Sequence, residues 1–153
     1  MSAIKRLRLG LAFVCATGWA SVAHAQLGDG TWGRTDAQGK GITMTVETCC
    51  NGGRRLIYHI PAMGGQPAST MSVDSPMDGT DVPTMVGGKP TGQTMAIKRV
   101  DDRHYTAVMK VKGQKFGTSS GVISADGKAM SVESVMDGGA ETPLKITETW
   151  VKK

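Results

Sequence analysis

Met44, Met63, Met71, Met77, Met85, Met95, Met109, Met130 and Met136 stand against only two tryptophans, two tyrosines and one phenylalanine beyond residue 25. The soft, polarisable groups of this chain are therefore thioethers. Thioether sulfur selects Cu(I), and together with His59, His104, Cys49 and Cys50 the donors for copper handling are present. The methionines form no close repeats, however, and most fall on the inward face of an alternating pattern. There an unbranched, flexible side chain fills the irregular gaps of a core short of aromatics. A third reading keeps the thioethers inside but leaves room between them, giving a cavity for an apolar ligand with Met44, Met95, Met109 and Met130 on its wall. No metal and no cofactor is expected.

Cys49 and Cys50 are adjacent and are followed by Asn51-Gly52-Gly53. Neighbouring residues of a strand point to opposite faces, so these two sulfurs bond each other only where the chain bends sharply, which the glycines permit. A bond of that kind is labile and responsive to redox state. The favoured readings are a structural disulfide or pairing of two chains into a dimer through Cys49 or Cys50. Gly117-Thr118-Ser119-Ser120-Gly121 matches G-x-S-x-G, but that motif works as a strand-to-helix elbow. This copy lies within a strand pattern, where small residues mark a bend. His59 and His104 read as surface residues and Asp101-Asp102-Arg103 as a solvated turn, so no catalytic residue is assigned and no enzyme is expected.

Two charges are more informative. By alternation Arg99 shares a face with Met95 and Ile97, and Glu148 shares one with Ile146 and Trp150. If both faces are interior, two charges enter the core, where an unpaired charge is very costly. Arg99 is then suited to grip a ligand carboxylate through two parallel hydrogen bonds, with Tyr58 or Tyr105 nearby. A bulge beside either charge would instead return it to water.

The elements that must position these groups are strands. In GITMTVET, Ile42, Met44 and Val46 alternate with Thr43, Thr45 and Glu47, the two-residue period of a half-buried strand. HYTAVMKV, AMSVESVM and LKITETWV repeat it, and RLIYHI, STMSVDS, QTMAIKRV and FGTSSGVI follow it more loosely. Between them CCNGG, DGT, VGGKPTG, VDDR, VKGQ, SADGK and MDGGAETP carry turn residues. No sustained helical period occurs after residue 25. The expected fold is all-β: one antiparallel up-and-down barrel of about eight to ten short strands over residues 26–153, closed because open sheet edges invite aggregation.

Residues 1–25 read as a cleavable signal helix, with Lys5, Arg6 and Arg8 before an apolar stretch and Ala23-His24-Ala25 at the end. The expectation is an exported protein, periplasmic or extracellular, with no stable membrane anchor after removal of the signal. Three of the 18 basic residues lie in the leader, leaving fifteen against thirteen acidic ones. That balance, with no basic run interleaved with aromatics, argues against nucleic acid as a partner.

Gly30-Thr31-Trp32 resembles the G-x-W signature of lipocalin-like barrels, in which the tryptophan closes one end. From GTW through KRVDDRHY and ISADGKAMSVES to TETWVKK the chain is similar to small exported bacterial lipocalin-like proteins. The resemblance implies a fold and export, and no activity. Lipocalins place an arginine of the last strand over the tryptophan; the last arginine here is Arg103, so Lys145 or Lys152 would take that place. The leading functional expectation is a non-enzymatic exported barrel binding a small, largely apolar or fatty-acid-like ligand, with or without a carboxylate tip. The alternatives are a solid envelope barrel acting through its loops and, behind it, copper handling through Met, His and Cys.

Overall fold

The computed structural model describes residues 26–137 and 142–153. The signal helix expected over residues 1–25, and part of the turn before the last strand, lie outside the described residues. Ten strands follow in chain order: β1 Gly30–Arg34, β2 Thr43–Cys49, β3 Gly53–Ile60, β4 Ser69–Ser75, β5 Asp78–Val86, β6 Lys89–Arg99, β7 His104–Val111, β8 Gln114–Ile123, β9 Ala129–Met136 and β10 Leu144–Lys152. Each pairs antiparallel with its chain neighbour, and β1 closes on β10 to complete an up-and-down barrel.

Alternation builds this wall. Along β9 Met130 and Ser134 are buried while Ser131 and Glu133 are exposed, and β2 buries Met44 and Val46 but exposes Glu47. Two-residue turns join several strands. Gly87-Gly88 and Lys112-Gly113 have positive φ at both positions, the conformation whose twist matches that of the strands a hairpin joins.

Besides β1, which the eight alternating segments also leave out, β5 is a strand that the sequence pattern does not announce. It opens on Asp78-Gly79-Thr80-Asp81, all exposed, and carries Pro83, which cannot donate to a ladder. The expected link DGT falls wholly inside β5, and VGGKPTG falls partly inside β5 and β6. Against β4, β5 forms only the pairs Met71↔Val86 and Ser72↔Met85. Against β6 its register shifts twice, between Asp78 and Asp81 and between Pro83 and Met85.

The core holds Trp32, Val73 and Ile123 with no exposed surface, beside Met44, Val46 and Trp150. Lys152 Nζ lies 6.0 Å from the centre of the Trp32 ring, whereas Lys145 is exposed. The segment before β1 is fixed across one end of the barrel. The Leu27 N–H donates to Tyr105 Oη at 3.0 Å, and the Leu27 carbonyl accepts from Arg54 Nε at 2.7 Å. Thr48 Oγ1 donates to Asp29 at 3.0 Å. At this end Cys49 and Cys50 are bonded to each other. The bond sits in a turn where Cys50, Asn51 and Gly52 all have positive φ, and in this form neither sulfur is a free thiol for an interchain bridge.

Candidate functional site

The inward faces of the strands line a half-open cavity of about 240 Å³, with Leu, Ile, Val, Trp and Tyr side chains and seven methionines on its wall. The four expected on its wall, Met44, Met95, Met109 and Met130, are joined by Met71, Met77 and Met136. Strand register arranges some of them in rows. Met44 lies opposite Tyr58, which lies opposite Met71. On the other side Met95 faces Met109, Met109 faces Gly117, and Gly117 faces Met136.

Gly117 is what lets the second row close. A Cβ there would stand 2.5 Å from Met136 Sδ and 3.0 Å from Met109 Cε, so two thioether arms meet over the bare backbone. The G-x-S-x-G segment thus lies inside β8, with no helix after it. Its Ser119 shares a 2.7 Å hydrogen bond with Ser134 on the cavity wall.

The structure corrects the placing of Arg99. Its side chain is 45% exposed, pairs with Asp102 at 3.4 Å and takes no part in lining the cavity. Arg99 does follow Met95 and Ile97 in alternation, but it is the last residue of β6 and sits at the rim. The carboxylate anchor expected of it is absent from the interior.

Glu148 does line the cavity and is the only charged residue on its wall among the described residues. Its Oε2 accepts from Trp150 Nε1 at 3.1 Å, and its Oε1 pairs with Arg34 Nη1 at 3.1 Å. Arg34 is clamped in turn by Asp36, through Nε at 2.7 Å and Nη2 at 3.1 Å. Asp36 also accepts from the Gly39 and Thr149 N–H groups. The hydrogen bond from Arg34 is the main reason the Asp36 carboxyl is lowered to about 2, the two backbone N–H groups adding to it against a partial desolvation. The result is a charged chain, Asp36–Arg34–Glu148–Trp150, running from the outside to the cavity wall.

Tyr58 lines the cavity and sets its ring edge-on to Trp150, with centroids 6.0 Å apart. Burial, with Glu148 adding to it, pushes its hydroxyl above the ordinary tyrosine range, so it stays protonated. Tyr105 also lines the cavity, its oxygen holding Leu27. His59 and His104 are exposed; His104 Nδ1 lies 2.8 Å from Asp101. Among the described residues no group of three or more His, Cys, Asp or Glu side chains could hold a metal ion.

Sequence reasoning missed Arg34. The signal was available, since Arg34 follows Trp32 by two residues in GTWGR and so shares its face. Comparison with protein-family models, with curated proteins and with solved structures finds no match.

Proposed function

We propose that this protein is an exported, non-enzymatic barrel that binds a small, largely apolar molecule in its interior. The observation that carries this reading is the cavity of about 240 Å³ with seven thioethers on its wall. Protein interiors are close-packed, and voids larger than a water molecule are few. A void of about 150 Å³ lined by apolar side chains takes benzene, so this one suits a guest of roughly ten non-hydrogen atoms by the same scale. Methionine walls adapt their shape at little cost, which suits a family of related guests better than one rigid molecule. Export rests on the leader-like residues 1–25.

Native mass spectrometry of protein recovered from its own compartment without refolding tests the reading. A retained organic mass of that size is the expected result. Bare polypeptide would favour a solid barrel acting through its loops. A retained copper ion would favour coordination by the Met95, Met109 and Met136 row.

A further inference from the structure

We propose that Glu148 sets the ligand class of this cavity: it accepts a hydrogen bond from a small neutral alcohol or phenol and turns away carboxylates of the same size. The proposal rests on the interior-binding reading and names the polar end of the guest.

The geometry of β10 brings Glu148 inward. Lys145, Thr147, Thr149 and Val151 are exposed, while Ile146, Glu148 and Trp150 are half-buried or buried. A carboxylate has about four lone-pair sites. One oxygen of Glu148 accepts from Trp150 and the other forms an ion pair with Arg34, so acceptor capacity remains for a group inside the cavity. Arg34 is not on the cavity wall. Its Nε and Nη2 are given to Asp36 and its Nη1 to Glu148. The cavity therefore presents an acceptor and withholds the cation.

Three head groups can be weighed on that wall. A ligand carboxylate would lose its water and meet another carboxylate, two costs with nothing to offset them. An ammonium would meet Glu148, which shares the single cation Arg34 with Asp36, but the rest of the wall is thioether, hydrocarbon and hydroxyl. One carboxylate offsets only part of the desolvation of a full positive charge. A neutral hydroxyl gives up little hydration and donates one hydrogen bond to an ionised acceptor, a strong kind of contact. The Tyr58 hydroxyl, which bonds to no described residue and faces the same cavity, supplies a second contact to the ligand oxygen.

The experiment uses protein carrying 13C-methyl methionine, because seven thioether methyl groups report directly from the wall. Three probes share one ring and one ethyl group: 4-ethylphenol, 4-ethylbenzoate and 4-ethylbenzylamine. At pH 7 the phenol is expected to shift the methyl signals and bind roughly tenfold or more tightly than the other two. In Glu148→Gln the preference for phenol over benzoate should collapse towards equality. With the wild-type protein, the benzoate should gain affinity as pH falls towards its own pKa of about 4, because its protonated form is itself a neutral donor. That arm keeps the test decisive if the variant fails to fold. Benzoate binding as tightly as phenol at pH 7, a preference unchanged in Glu148→Gln, or no gain on acidification would each overturn the assignment to Glu148 while leaving the cavity reading intact. No shift with any probe would overturn both.

Discussion

The barrel wall has two short ladders, one at the closure between β1 and β10 and one between the consecutive strands β4 and β5, and the two are held differently. β1 and β10 share three residue pairs, Trp32↔Lys152, Gly33↔Val151 and Arg34↔Trp150, and β4 and β5 share two. What differs is the reinforcement. At the first junction the Thr35 N–H donates to the Thr149 carbonyl at 2.8 Å and the Lys153 N–H to the Thr31 carbonyl at 2.9 Å. Side chains add the Asp36–Arg34–Glu148 chain, a 2.8 Å bond between the Thr35 and Thr149 hydroxyls, and Lys152 over Trp32. At the second junction, among the described residues, no side-chain hydrogen bond crosses from strand to strand. Chain connectivity explains the contrast. β4 and β5 are consecutive and are tethered by the Pro76-Met77 link, so they stay close at small entropic cost. β1 and β10 come from opposite ends of the domain, and only contacts can hold them.

The largest expected effect comes from removing the plug of the reinforced junction. Trp32 is wholly buried, and Trp32→Ala should cost about 3–5 kcal/mol, the range for deleting a large aromatic from a core. The urea midpoint would report it. A loss under about 1 kcal/mol would mean that the closure does not depend on this ring.

The next effect separates charge from packing. Arg34→Ala leaves Asp36 and Glu148 partly buried without their cation, at a cost of about 1–3 kcal/mol. The pH dependence is specific. Asp36 has a folded pKa of about 2, below its ordinary value, so its contribution is fully present above the unfolded pKa of about 4 and is lost as pH falls through 2. Thermal midpoints across that window should fall less steeply in Arg34→Ala than in the wild type. Parallel slopes would show that Arg34 is not what holds Asp36 ionised.

These junctions also show how far the sequence could be read. The closed all-β wall and the inward methionines follow from a period of two, which Met44 and Val46 or Met130 and Ser134 display without help from their neighbours. Alternation assigns a face, however, and says nothing about depth along the barrel axis. Arg99 has the parity of Met95 and Ile97 but ends its strand, so it reaches the rim, while Arg34, on a strand with one large apolar residue, was passed over although it reaches Glu148. β5 was invisible for a different reason. Its polar start, Gly79 and Pro83 are what a turn also contains, and the weak pairing that these residues cause is the same fact seen from the structure.

The smallest effect probes the β4–β5 junction itself. A groove of about 560 Å³ lies outside it, bordered by Ile57, Ser72, Val82, Pro83 and Met85. Val82 also packs against the core cluster and pairs with the cavity-lining Met95. Val82 thus borders the groove on one side and touches the core on the other. Val82→Ala should cost only about 1 kcal/mol, yet it should speed both arrival and departure of 4-ethylphenol at the methionine methyls, leaving the ratio of the two rates nearly unchanged. Amide exchange supplies the matching reading in the wild type. Thr84, which has no ladder partner on β4 or β6, should exchange by local opening, whereas Ser120 and Glu133, paired within the long β8–β9 ladder, should exchange only with larger unfolding. Equal protection at the two places, together with unchanged probe kinetics in Val82→Ala, would show that the tether alone keeps β4 and β5 as firmly joined as a full ladder.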